Sequence, residues 1–221
     1  MTAATAMARR RTGILVFDDV EVLDFCGPFE VFSVVRPDET ARREQPSPFD
    51  VGLVAETARP VTTTGGMTVT PRWSFDDCPA LDLLLVPGGR GVRRQLENPR
   101  LLDWLRERAG EAERLCSVCT GSMLLGAAGL LDGRRATTHW RSLDWMAEAL
   151  PAVTVDRQRH YVRDGNVWTA AGISAGIDLA LALVAEIHGE PVARETARYM
   201  EYAWSQSDER RIAMAGSSGD G

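Results

Sequence analysis

Cys119 has the sequence context of a nucleophile. It closes the apolar run Leu115-Cys116-Ser117-Val118 and is followed at once by Thr120-Gly121-Ser122-Met123-Leu124-Leu125. The run predicts a buried strand of a parallel sheet, and the residues after it predict a helix. A cysteine at that junction sits on a sharp strand-to-helix turn, a nucleophile elbow with sulfur in place of the serine oxygen. Free N–H groups at the helix N-terminus point at it and are expected to favour the thiolate, the reactive form. The alternative is a small residue buried at a tight turn.

Other residues could serve that thiol. Thr120 cannot take a proton at neutral pH. Its hydroxyl can donate a hydrogen bond and its N–H can line an oxyanion hole, or it can satisfy its own helix terminus. Asp24 lies between Leu23 and Phe25, where a carboxylate is costly to bury without a partner. Two roles are open to it: an N-cap for a helix begun by Gly27-Pro28, or a general acid/base whose pKa its apolar flanks raise. Glu30 is a weaker candidate for the second role. Gly88 and Gly89 let backbone approach a ligand, although a turn at a strand end also favours glycine. His139 fits a structural role better than that of a base, Cys116 faces the core, and Cys78 precedes Pro79 with no evident partner.

The positioning elements follow from the pattern. Buried strands are predicted at Thr12–Phe17, Phe49–Ala55, Leu83–Val86 and Leu115–Val118, and a hairpin turning at Gly65-Gly66 within Val61–Thr70. Helices are predicted from Pro28 to about Val35, from Pro99 to Ala109 behind an Asn98 cap, from the elbow to Leu131, over Ser142–Leu150, Ile173–His188 and Val192–Trp204. Short strands at Arg135–Thr138, Arg159–Val162 and Val167–Ala170 complete the set, the last two pairing around Asp164-Gly165. Such alternation makes an α/β fold, a mostly parallel central sheet with helices on both faces. Ligands of such sheets bind beyond the carboxyl ends of the strands, here at Asp18–Gly27, Pro87–Val92 and Cys119–Gly121. Residues 11–205 are expected to form one domain, with flexible tails at 1–10 and 206–221.

Composition narrows the function classes. Of 221 residues, 44% are hydrophobic, enough for a sizeable core. The net charge of −6 argues against nucleic acid as a partner, and no apolar run is long enough for a membrane span. Cys26, Cys78, Cys116 and Cys119 lack a disulfide spacing, which fits free thiols in a reducing cytoplasm. His139, His160 and His188 lack metal-ligand spacing, so no metal is expected.

Several segments together resemble a known family. They are Leu23-Asp24-Phe25-Cys26-Gly27-Pro28-Phe29-Glu30, Leu85-Val86-Pro87-Gly88-Gly89, Ser117-Val118-Cys119-Thr120-Gly121-Ser122, Ala136-Thr137-Thr138-His139-Trp140 and Ala171-Gly172-Ile173-Ser174-Ala175-Gly176-Ile177-Asp178. They resemble the ThiJ/PfpI superfamily, which shares the class I glutamine amidotransferase-like domain, and within it the isonitrile hydratases. The resemblance covers Thr12 to Tyr202. It implies a flavodoxin-like sandwich, a homodimer, and hydration of an isonitrile to an N-substituted formamide without a cofactor. It carries the catalytic aspartate, cysteine and threonine onto Asp24, Cys119 and Thr120, and sets Gly88, Gly89, Thr120 and Ile173 about the oxyanion and substrate. Ala170-Ala171-Gly172 departs from the glycine run of the hydratases, and the segment after Ala203 departs from their proline-rich one. A similar Cys-Thr-Gly elbow occurs in regulators related to arabinose-type activators, which add a helix-turn-helix region. Only a short acidic-chain remainder follows Trp204 here, so that relationship implies a stand-alone small-molecule sensor. A generic thiol hydrolase or deglycase of the superfamily is the third alternative. The absent histidine after Cys119, and an aspartate where such enzymes use glutamate, weigh against it.

Overall fold

The computed structural model describes residues 9–211. In chain order the strands and helices are β1 (Arg10–Leu15), α1 (Val22–Val34), β2 (Phe49–Ala55), β3 (Val61–Thr62), β4 (Thr68–Val69), β5 (Trp73–Ser74), β6 (Leu83–Val86), α2 (Val92–Gln95), α3 (Pro99–Glu111), β7 (Arg114–Val118), α4 (Gly121–Ala127), β8 (Arg135–Ala136), α5 (Leu143–Ala149), β9 (Thr154–Val155), β10 (Tyr161–Asp164), β11 (Val167–Ala170), α6 (Ala175–His188) and α7 (Glu190–Tyr199). Seven strands form one sheet in the order β10-β11-β7-β6-β1-β2-β5. Neighbours run parallel except β10, which pairs antiparallel with β11 through Tyr161–Ala170.

The order explains the layers. From β1 the chain steps outward to β2; from β6 it steps the other way to β7 and on to β11. Right-handed crossovers in opposite directions put α1 on one face and α3 and α4 on the other. Helices α6 and α7 pack with α1. The sheet interior is apolar because both faces are covered: Ile14, Leu83, Leu84, Leu85, Leu115 and Val118 are all buried. The carboxyl ends of β1, β6 and β7 lie side by side, so the loops after them converge. This is the expected α/β sandwich with a mostly parallel sheet.

Four local expectations change. Helix α1 begins at Val22, so Pro28 lies inside it and Asp24 lies in its first turn. Proline there removes one backbone bond, to the Asp24 carbonyl, and its ring packs beside Gly176 of α6. The helix after the elbow ends at Ala127 and gives way to turns, where Gly129 takes φ +75°. The strands β5 and β9 are too short to be seen by periodicity; β5 pairs with β2, and the short strand expected at Arg135–Thr138 is β8, which pairs with β9 in a separate sheet. Finally, 206–211 is held against the start of β10, through Arg210 N–H to the Gln158 carbonyl (2.7 Å) and a bridge between Arg159 and Glu209. At the other end Arg9 binds the Ser47 carbonyl (2.8 Å) and β1 starts at Arg10. The rest of both predicted tails, 1–8 and 212–221, lies outside the described residues. No helix among the described residues is long and apolar enough to cross a membrane.

Candidate active site

The chain turns at Cys119 with φ +56°, a value that non-glycine residues seldom adopt. The turn is braced on every polar atom of its backbone. Cys119 N–H donates to the Ala170 carbonyl of β11 (3.1 Å). Its carbonyl accepts from the hydroxyls of Ser122 (3.1 Å) and Thr138 (2.9 Å). Strained backbone persists where its surroundings over-determine it, and it concentrates at functional sites. Gly172, at φ +126°, forms the far wall. A Cβ there would lie 2.7 Å from Cys119 Cβ and 3.2 Å from its Sγ. The Gly172–Ile173 peptide is cis.

Asp24 reaches the same place from α1. Its side chain is fully buried, and Oδ2 accepts the Gly88 N–H at 2.9 Å. Oδ1 is buried without a hydrogen bond of ordinary geometry. The N-cap role fails, because the cap position is Glu21 and Asp24 binds backbone of another segment. Burial pushes its carboxyl up to about 8 and the Glu21 charge adds to this, while the Gly88 N–H and the Cys119 thiol oppose it. Such a carboxyl holds its proton through most of the neutral range.

The thiol is affected in the same direction. Cys119 is only 8% exposed, and burial, followed by the Asp24 carboxylate, pushes it well above the ordinary thiol range. The N–H and hydroxyl of Thr120 favour the thiolate and pull the other way without prevailing. The expected resting thiolate is therefore corrected. The helix terminus does support the sulfur, but a dry site beside a carboxyl costs a second charge more than one short helix returns. Burial thus favours the protonated form of both Cys119 and Asp24.

Thr120 and the two glycines form one unit. Thr120 Oγ1 accepts the Gly89 N–H at 3.2 Å, leaving its own proton for the sulfur. A Cβ on Gly88 would stand 2.5 Å from Thr120 N and 3.0 Å from Cys119 Cβ, so glycine is a steric requirement there. The N–H groups of Gly88 and Gly89 are thus already engaged by Asp24 and Thr120, and the Thr120 N–H is the donor facing the sulfur. Ile173 follows Gly172 and is 37% exposed. Glu30 is exposed two turns further along α1 from the site. His139 accepts the Arg141 N–H at 3.3 Å and caps a short 3₁₀ turn, the structural role.

Two features escaped sequence inspection. Thr138 and Ser122 support the elbow carbonyl, and only the folded chain brings Thr138 to it. A buried cluster joins Asp178 to His160, Tyr202 and Arg211; its members are scattered along the sequence with no motif spacing. A cavity of 470 Å³ lies over the ends of β1 and β2, lined by Phe17, Asp18, Glu56, Arg59 and Gln95. It includes neither Cys119 nor Asp24 and holds no nucleophile. Its two carboxylates are already engaged by Thr62 N–H and Asn98.

Comparisons with known proteins agree with this geometry. The isonitrile hydratase of Pseudomonas putida is 43% identical over 191 residues, covering 86% of this chain and 78% of that protein. The HTH-type transcriptional regulators CdhR and GbdR of Pseudomonas aeruginosa are 35% and 33% identical, and the chain spans only 47% and 42% of their lengths. A THiJ/PfpI family protein from Pseudomonas syringae superposes with a TM-score of 0.78 at 31% identity, over 93% of this chain and 80% of that one. An AraC family transcriptional regulator from Pseudomonas putida shares the fold at 21% identity, with a TM-score of 0.72 over 86% of this chain and 99% of that one. The DJ-1/PfpI family description matches residues 10–186. With its elbow, its sheet order and these relatives, the chain belongs to the DJ-1/PfpI family.

Proposed function

We propose that this protein is a cofactor-independent cysteine enzyme, a hydro-lyase-type isonitrile hydratase that converts R–N≡C and water to R–NH–CHO. The observation that carries the proposal is the buried pair of Asp24 and Cys119, with Thr120 beside the sulfur, in a chain 43% identical to an isonitrile hydratase. An isonitrile is neutral and its terminal carbon accepts both a nucleophile and a proton, so a dry, uncharged thiol–acid pair suits it.

The steps balance without an added reagent. Sγ bonds to the terminal carbon while the carboxyl of Asp24 hands its proton to that carbon and takes the thiol proton in exchange, giving the thioimidate R–N=CH–S–Cys119. Asp24 then protonates the nitrogen as water adds to carbon and recovers a proton from that water. Collapse of R–NH–CH(OH)–S–Cys119 expels sulfur, and the hydroxyl proton returns to it through Asp24. The Thr120 N–H and hydroxyl stabilise sulfur as charge develops on it. Gly88 and Gly89 keep the loop close, and Ile173 contributes apolar surface for R.

The matches to HTH-type regulators favour one other role, a small-molecule sensor. One assay separates the two. Incubation with cyclohexyl isocyanide should yield N-cyclohexylformamide, with methylglyoxal and a peptide amide as controls for deglycase and hydrolase activity. Saturable binding without formamide would support the sensor and overturn the enzyme. We also infer a cytoplasmic homodimer with no nucleic-acid partner, from the family resemblance, the free thiols and the net charge of −6.

A further inference from the structure

We propose that Arg210 and Arg211 are positioning residues for Cys119, each tying the strap 205–211 to one of the two walls that seat the nucleophile. The inference rests on Cys119 as the reacting group and on no particular substrate. The strap runs beside the start of β10. The Asp208 carbonyl accepts the His160 N–H, Arg210 N–H donates to the Gln158 carbonyl (2.7 Å), and Arg159 pairs with Asp208. This backbone pairing directs two adjacent arginines inward.

Arg210 serves the wall behind the elbow carbonyl. Its Nη2 donates to Thr137 Oγ1 (2.9 Å) and to the Thr138 carbonyl (3.3 Å), and its Nε donates to the Arg157 carbonyl (3.0 Å). Thr138 in turn donates its hydroxyl to the Cys119 carbonyl. Only one residue therefore stands between the guanidinium and the strained backbone. Arg211 serves the opposite wall. Its Nη2 donates to Asp178 Oδ1 at 2.8 Å, and Asp178 Oδ2 receives His160 Nε2 and the Tyr202 hydroxyl, each at 3.0 Å. Asp178 is fully buried in the first turn of α6. The segment leading into that turn contains Gly172, packed on Cys119 Cβ and Sγ. A φ of +56° at cysteine holds only if both walls hold, and a planar fork with several donors is the side chain suited to fixing backbone carbonyls.

The titratable groups facing the sulfur are Asp24 and Glu21, and Thr120 faces it with its N–H and hydroxyl. Loosening either wall moves Sγ relative to these groups and admits water, which alters both its titration and its aim. The test uses full-length Arg210→Met, which keeps the aliphatic stem, with Arg210→Lys as the rescue and Arg211→Met for the second wall. The rate of Cys119 alkylation by iodoacetamide is followed from about pH 6 to the highest pH at which the fold persists, because this thiol titrates above the ordinary range; where no plateau is reached, the displacement of the rising limb along the pH axis stands for the midpoint. Turnover of cyclohexyl isocyanide and melting temperature are measured alongside. The midpoint of the alkylation profile should fall by at least about 0.5 pH unit in both Met variants. Turnover should show kcat down at least about 10-fold with KM within about 2-fold, the pattern of a misplaced reacting group. Arg210→Lys should recover part of both. A lowered melting temperature with an unmoved profile and unchanged kcat would overturn the proposal and leave the strap a structural element. Wild-type protein inert to the isocyanide would refute the hydratase assignment, while the alkylation profile would still decide the positioning role. Should Arg210→Met not fold, Thr137→Val removes one hydroxyl that Arg210 binds. It should lower the midpoint likewise, and an unmoved midpoint there refutes the proposal.

Discussion

Asp24→Asn separates catalytic from structural roles, because the two predict opposite changes. Asparagine nearly matches the shape, and its carbonyl can still accept the Gly88 N–H. It cannot exchange protons. Removing a positioned acid/base lowers kcat by roughly 10²–10⁴-fold, so turnover of cyclohexyl isocyanide should fall at least about 100-fold. Stability should move the other way. In the folded protein the Asp24 carboxyl titrates at about 8 against an ordinary 3.8. Between these values the folded state holds a proton that the unfolded chain has released, so wild-type stability falls as pH rises from about 4 to about 8. At pH 7 that cost is at most about 4 kcal/mol, and relaxation of the site reduces it to about 1–3 kcal/mol. Asp24→Asn removes it, so the variant should melt higher than wild type at pH 7, and the gain should vanish near pH 4. Thermal unfolding at both pH values and steady-state kinetics make the check, with exposed Glu30→Gln as the control expected to change neither. Near-wild-type turnover by Asp24→Asn would refute the acid/base role. A variant destabilised at pH 7 would refute the burial argument for the raised carboxyl.

Further expectations follow from the same geometry. Cys119→Ala should abolish formamide production while leaving the fold intact, since the elbow is braced through backbone atoms; residual turnover would refute the nucleophile. Limited iodoacetamide labelling tests whether Asp24 can take the thiol proton during attack: burial raises all three thiols, so Cys119 should be marked before Cys26 or Cys78 only through that transfer, and peptide mapping reads the order. Thr120→Val keeps the shape and removes the hydroxyl, so kcat should drop by about 2–4 kcal/mol in activation free energy, and an unchanged kcat would make Thr120 structural. Light scattering should give twice the 24.2 kDa chain mass, and a monomer would refute the homodimer.

The residues of the candidate site were legible in the chain because their signals are local. An apolar strand ending in Cys-Thr-Gly can only turn sharply, Gly88-Gly89 closes another strand, and an aspartate between leucine and phenylalanine is conspicuous. Alternation of strands and helices likewise settled the layers, since a parallel strand needs a covered crossover. What the linear order could not reveal depends on contacts between distant segments. Pro28 reads as a helix start, yet packing against α6 lets the helix run through it, and that moves Asp24 from a cap into a first turn aimed at Gly88. The helix terminus suggests a thiolate, yet the charge on Cys119 is decided by how dry the site is and by which carboxyl shares it. Thr138 and Gly172 meet the elbow only once the chain has folded back, 19 and 53 positions beyond Cys119 by residue number, and the Asp178 cluster likewise gathers residues from 160 to 211. Burial and proximity are properties of the assembled sheet, and they set proton affinities and backbone strain that no sequence window contains.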